Sequence, residues 1–350
     1  MLKKYAGSHG GYPNCAELLI SILFFISLAW PLSAESEDNA DDSGLFSATL
    51  PAEFKVKSEP QRPRWILLPS LASFVLPGLD QWSEGQDSYG LAYTGTSLAG
   101  IAYARHHAMK LSDERRGQAK EDKQDGFSQP NERERRALWG AQVYQLAGSL
   151  SSYHAYRTAI WTHKPYGRYG FIKRQESMRE ITLAPFRFEF LTRSTTLWPL
   201  GIGVALAILS QSAIDLEPTI QRDPLTVSDV FFTGAISYGA GVGEEAVFRG
   251  FLLPELRQAL GSDFWSNAVT AVGFAAAHLG SVDRPIAQLA LGYYWGDLTQ
   301  RNNWEIAESI FIHTWWDVIA FLTVFQIKDK EPASSAVRPA LHLPPFELHF

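Results

Sequence analysis

Cysteine is almost missing from this chain. The single Cys15 cannot close an internal disulfide, which excludes a disulfide scaffold and a cysteine-rich zinc fold. Net positive charge is missing too. With 31 Lys and Arg against 37 Asp and Glu and a net charge of -6, the balance argues against a nucleic-acid binder, since neutralising phosphates needs a concentrated basic face. Two catalytic signatures are also lacking. No HExxH helix motif of the zinc proteases is present and no serine stands in a GxSxG setting, while Cys15 belongs to the leading segment. Serine or cysteine nucleophile chemistry therefore has little support.

What is present is segregation. At 46% hydrophobic and 19% charged the averages are those of an ordinary globular protein, yet the apolar residues come in separated blocks and the charges crowd between them. Lys3 and Lys4 precede an apolar stretch, Leu18 to Trp30 (LLISILFFISLAW), followed by the breaker Pro31 and the small residues Ser33 and Ala34. This is the layout of a signal peptide cleaved after Ala34, or of an uncleaved signal anchor over residues 1–34, and either places residue 35 outside the cytoplasm. Residues 35–63, acidic and then punctuated by Pro51, Pro60 and Pro63, read as a polar linker.

Apolar blocks then recur at 64–79, 88–104, 137–159, 195–211, 227–256, 264–280, 285–299 and 306–327. Several approach the roughly 20 residues that carry a helix across a bilayer. Small residues inside them, as in Tyr89 to Ala104 (YGLAYTGTSLAGIAYA), suit close helix contact in lipid. The expected fold is therefore all-α, a polytopic transmembrane helix bundle. Pro69 and Pro77 interrupt the first block, and Leu76 to Trp82 (LPGLDQW) is similar to a short PGLGQ-type element of small bacterial membrane modules, although a Pro-Gly turn at a membrane surface reads the same way. A mixed-charge loop is expected at 105–136 and a basic one at 157–193. The basic loop belongs on the cytoplasmic side, and the acidic 212–226 on the other. Residues 64–194 form N-terminal membrane helices and loops without an assigned role, and 328–350 a peripheral tail.

Chemistry concentrates in the last third. In Gly241 to Phe251 (GVGEEAVFRGF), Glu245 and Arg249 are one helical turn apart and can pair, while Glu244 points about 100° away and stays free. An ionised side chain inside a membrane segment costs on the order of 3 kcal/mol, so such residues face a partner or a wet cavity. Gly273 to Gly280 (GFAAAHLG) adds His278, and Phe311 to Val318 (FIHTWWDV) adds His313 and Asp317 on one helix face. His154, in an apolar block but without an acidic neighbour, reads as structural. Glu244, Glu245, His278, His313 and Asp317 together can supply what peptide-bond hydrolysis needs. A desolvated carboxylate takes a proton from water, imidazole shares that work near neutral pH, and a second donor or a metal stabilises the oxyanion.

Three spacings carry a resemblance: EExxxR at Glu244, Glu245 and Arg249; FxxxH at Phe274 and His278; and HxxxN/D at His313 and Asp317. In this order, each inside an apolar block, they resemble the CPBP intramembrane proteases, the CAAX protease and bacteriocin-processing family, over about residues 195–327. The resemblance implies a catalytic cavity among the C-terminal helices and endoproteolysis of a membrane-associated peptide or protein. It implies that Glu244 with His278 activates water, that His313 and Asp317 bind or stabilise the carbonyl oxygen, and that Glu245 with Arg249 braces the helix. It leaves the cofactor undecided: a divalent metal such as Zn2+ on Glu244, His278, His313 and Asp317, or a glutamate mechanism without one. Asp317 stands where the eukaryotic prenyl-protein proteases of the group carry Asn, and an ionised Asp cannot donate to an oxyanion. The implied location is a bacterial inner membrane, multi-pass, with the bilayer and a membrane-tethered substrate as partners and no nucleic acid. Prenylated substrates do not transfer with the resemblance. Two other readings of the same polar cluster stay open, a non-catalytic membrane scaffold or immunity protein and a transporter or proton relay.

Overall fold

The computed structural model describes residues 66–118, 130, 132–163, 167–216, 220–222, 224–279, 285–329, 341–343 and 346–348. The expected signal segment 1–34, the linker 35–63 and most of the tail 328–350 lie outside the described residues. Helices dominate what is described: α1 Leu67–Val75, α2 Leu79–Ser83, α3 Asp87–Gln118, α4 Glu132–His163, α5 Met178–Leu183, α6 Ser194–Leu216, α7 Val227–Val247, α8 Leu253–Leu260, α9 Asp263–Ala277, α10 Ile286–Arg301 and α11 Ala307–Phe325. Two short antiparallel ribbons are added, β1 Ile220–Arg222 with β2 Ile327–Asp329 and β3 Leu341–Leu343 with β4 Phe346–Leu348. The all-α expectation holds for the body of the protein.

Each apolar block falls on a helix, but the helices run further than the blocks. Both α3 and α4 extend into the segment expected to be a charged loop, because Glu, Arg, Lys and Gln are good helix formers and an apolar scan does not see them. The two helices approach closely where Gly100 meets Gly140, since a Cβ on either would press into the other's backbone. The first block is split, as its prolines suggest: Pro77 and the left-handed Gly78 (φ 95°) turn the chain between α1 and α2, and Ser151 on α4 accepts from the Gly78 N–H at 2.8 Å.

Local chemistry fixes the ends of the helices that carry the polar motifs. Thr226 and Asp229 form a reciprocal capping box at the start of α7, and Asp229 also pairs with Arg135 on α4 at 2.5 Å. After Val247 the helix continues through a wider π-helical turn, Phe248–Leu252, into α8, which left-handed Gly261 ends. Ser262 then caps α9. The start of α11 is held from a distance: the Glu176 carboxylate accepts from the N–H groups of Ile306 and Ala307 at 2.7 and 3.0 Å, with Arg157 of α4 at 3.8 Å. Burial pushes the Glu176 carboxyl up to about 7, against the pull of Arg157 and the two N–H groups.

One core joins these helices. Leu146, Leu150 and Tyr153 of α4, Val242 and Ala246 of α7, Phe274 of α9, Trp295 and Leu298 of α10, and Ile310, Phe311 and Ile312 of α11 pack together. Among the described residues one helix, Ala307–Phe325, is long and apolar enough to cross a membrane by itself, and Ser194–Leu209 is a shorter apolar helix.

Candidate active site

The six residues singled out by the motifs come from three helices and meet in one place. Glu244 and Glu245 lie in the last turn of α7, Arg249 in the π-helical turn after it, His278 at the C-terminal cap of α9, and His313 and Asp317 on α11.

Glu245 is a bridge. Its Oε1 accepts from Arg249 Nη1 at 2.7 Å and from His313 Nδ1 at 2.9 Å, and the whole side chain is buried. Arg249 donates its other Nη to the Gly292 carbonyl of α10 at 2.8 Å and lies between rings, 4.4 Å from the Phe274 centroid and 5.3 Å from that of Trp295. The cation is thus desolvated but paired, which is the condition for burying it. His313 is clamped on two sides. Glu245 holds Nδ1, and the Trp295 indole stacks on its face with centroids 4.2 Å apart and planes 19° from parallel. Only Nε2 is left to act. It faces Asp317 Oδ2 at 3.5 Å and Glu244 Oε2 at 3.9 Å.

Glu244 differs from its neighbour in exposure and in lacking an arginine partner. Its Oε2 is buried and accepts no hydrogen bond from the protein, while the side chain as a whole keeps 18% of its surface open. Two imidazole nitrogens flank that oxygen at equal distance, His278 Nε2 and His313 Nε2, each 3.9 Å away. His278 Nδ1 donates to the Phe274 carbonyl at 2.8 Å, a partner that only accepts, so in a neutral ring Nε2 is the basic nitrogen and it points at Glu244. A separation of 3.9 Å is too long for a direct hydrogen bond and suits groups that share a water. Asp317 and His278, like Glu244, remain partly open, at 21% and 25%. The cluster therefore has a closed side at Glu245, Arg249 and His313, and an accessible side at Glu244, His278 and Asp317.

The donor set fits a metal poorly. Tetrahedral zinc with ligands at about 2.0–2.1 Å keeps donor atoms roughly 3.3–3.4 Å apart. Glu244 Oε2 is further than that from both imidazole nitrogens. Among the described residues no group of three or more His, Cys, Asp and Glu is disposed to hold a metal ion.

His154, read as structural, is buried on α4 beside Tyr93 and Tyr89, with its Nδ1 3.3 Å from the Tyr93 hydroxyl and a Tyr89 ring edge-on at 4.5 Å. Two parts of the site were not legible in the sequence. Trp295 and the Gly292 carbonyl come from α10, which reads only as another apolar block, and neither a stacking indole nor a backbone oxygen has a motif.

Residues 226–319 match the family model described as Rce1-like, type II CAAX prenyl endopeptidase Rce1-like. The match begins at the cap of α7 and ends within α11, so it contains Glu244, Glu245, Arg249, His278, His313 and Asp317, and it spans 94 of the 350 residues. No curated protein and no solved structure is a significant match for the chain. That family is one of endopeptidases, and its model covers the segment, residues 226–319, that builds this cluster.

Proposed function

We propose that this protein is a multi-pass intramembrane endopeptidase that hydrolyses a peptide bond of a membrane-associated protein or peptide, using a water activated by Glu244 and His278. One observation carries the reading: the Glu244 oxygen without a protein partner, set 3.9 Å from each of two imidazole nitrogens on separate helices. A water at that point is within reach of all three groups. Glu244 takes its proton, with His278 Nε2 sharing the load, and the hydroxide adds to the substrate carbonyl carbon. The proton then passes from Glu244 to the leaving amine as the C–N bond breaks. The oxyanion needs a donor, and His313 Nε2 supplies it when the ring carries both protons. Glu245 on the far nitrogen and Asp317 at 3.5 Å balance that charge. In this role Asp317 acts by holding the imidazolium, which removes the objection that a carboxylate cannot donate. No step passes through a metal.

The placement in lipid is part of the proposal. Large apolar side chains stand outward on α3 (Leu91, Leu98), α6 (Trp198, Leu209), α9 (Trp265, Val272) and α10 (Ile286), more than half exposed in each case. Outward apolar faces on four helices are what a bilayer covers and water does not. A multi-pass protein of a bacterial inner membrane is the reading these faces and the sequence blocks support. The substrate class is a peptide presented at the membrane, with the prenyl group in the family's name not carried over.

Purified full-length protein in nanodiscs, given a membrane-tethered peptide library, should cleave it. Glu244→Gln should stop cleavage while the protein keeps its thermal unfolding profile. Cleavage by Glu244→Gln at the wild-type rate removes Glu244 from the mechanism, and no cleavage by the wild type leaves the cluster as a packing feature of a scaffold.

A further inference from the structure

Three buried hydroxyls on α7 and on α11 beside it have no partner in the protein. Thr233 Oγ1 and Ser237 Oγ belong to α7, and Thr314 Oγ1 to α11; the residues are 1%, 0% and 5% exposed. A hydroxyl inside a helix ordinarily bonds the carbonyl one turn back, as Thr270 and Thr323 do here at 2.8 Å, but Thr233 and Ser237 do not. A buried hydroxyl left unsatisfied costs about 1–3 kcal/mol, and proteins meet that cost with ordered water.

The positions are related. At 100° per residue, 233, 237 and 244 fall within about 40° of one another around α7. Thr314 enters beside them because Gly241 has no side chain, and a Cβ there would collide with Thr314 Oγ1. At 1.5 Å per residue, Ser237 is about 6 Å from Thr233 along the axis, the Gly241 level about 6 Å further, and Glu244 about 4.5 Å beyond that. About 6 Å is two hydrogen-bond lengths, the span that one water closes. The unpartnered Glu244 oxygen ends the series.

We propose that a single file of water runs along this stripe from the Thr226 end of α7 to Glu244, and that Thr233, Ser237 and Thr314 position it. The inference rests on the hydrolytic reading above and adds where the consumed water comes from. A substrate seated over Glu244, His278 and Asp317 closes their open side, so replacement water needs another way in. The stripe provides one along α7 beside α11.

An internal control exists. Ser149 Oγ is also buried without a partner, but it faces α7 from α4 at Gly243, about 100° around the helix from Glu244. In full-length protein carrying Cys15→Ser, the variants Thr233→Cys, Ser237→Cys and Ser149→Cys are exposed to aqueous Ag+, which is small enough for a file one water wide, and unreacted thiol is then titrated. The thiols at 233 and 237 should react about tenfold faster than that at 149, as a water path beside them requires. Equal rates at 237 and 149 overturn the file. In the cleavage assay Ser237→Ala should lower kcat about tenfold at unchanged KM, and an unchanged kcat counts against the file as well. Fast silver reaction in a protein that cleaves nothing keeps the file and removes the protease. Cleavage that needs Glu244, with no silver contrast, does the reverse.

Discussion

Two flanks of α7 are built on opposite principles. Toward α4 the helix and the π-helical turn after it are closed by contact: Gly239 and Gly243 of α7 and Gly250 of the turn let Gln142, Leu146 and Tyr153 approach so near that a methyl group at 239 or 250 would strike them, and Asp229 is tied to Arg135 at the base. Toward α9 and α11 the helix presents Glu244 and Glu245, and the polar atoms there are partnered only in part. Adjacent carboxylates end up with different lives. Glu245 is held through Oε1 by Arg249 and His313, while Glu244 Oε2 accepts no hydrogen bond from the protein and lies 3.9 Å from each of two imidazoles. A site that must bind and spend water can tolerate an unsatisfied oxygen only where the rest of the helix cannot shift to satisfy it, and the close-packed flank supplies that rigidity.

The contrast breaks most visibly at the two acids. Glu244→Gln should lower kcat by about a thousandfold or more, the scale of losing a general base, with little change in thermal stability. Glu245→Gln should act the other way round. It leaves the buried Arg249 cation uncompensated and costs about 3–5 kcal/mol, read as a large drop in unfolding temperature in detergent. If the two variants lose stability equally, the division between a structural and a working carboxylate is wrong.

A smaller effect tests the anchor of α11. Between pH 4.5 and about 7 the folded Glu176 keeps a proton that the unfolded chain has lost, since burial raises its value from 4.5 to about 7. Its contribution to stability is therefore whole below pH 4.5 and is lost as pH rises through that window, by about 3 kcal/mol in all. Unfolding temperature measured across the same range should fall with pH in the wild type and flatten in Glu176→Gln; a slope that survives the substitution belongs to another group.

On the packed flank, Gly239→Ala forces Gln142 aside and should cost about 1–3 kcal/mol, as overpacking does. Gly234→Ala, where a Cβ has open space, should cost nothing and could stabilise the helix slightly. The smallest expected change is none at all: since the donor spacing does not suit a metal, cleavage should survive dialysis against EDTA and then 1,10-phenanthroline, with metal content measured on the same sample.

How much of this was legible in the sequence follows from what leaves a periodic or spaced mark. EExxxR, FxxxH and HxxxD do, because a helical turn brings residues three or four apart onto one face, and the six candidate residues that converge here were picked out that way. The helices behind the apolar blocks were also legible, except at their charged ends. What could not be read was contact between segments distant in the chain. Trp295 stacks on His313 from a helix with no polar signature, Glu176 caps a helix 130 residues later, and Gly241 matters because Thr314 arrives opposite it. The break inside 227–256 was hidden as well, since Phe248–Leu252 reads like any helical stretch.

That wide turn sets two parts of one rod at an angle of twist that an ordinary helix would not give. Wound as a regular α-helix over the same residues, Phe248–Leu252 would carry everything after it about 100° further round. Glu244 and Glu245, upstream, would keep their bearing, but Glu255 would swing away from the Tyr169 hydroxyl that it now receives. The turn acts as a gear with one extra tooth: it decouples the aim of the acids from the docking of the rod's far end, so that neither has to be compromised to suit the other.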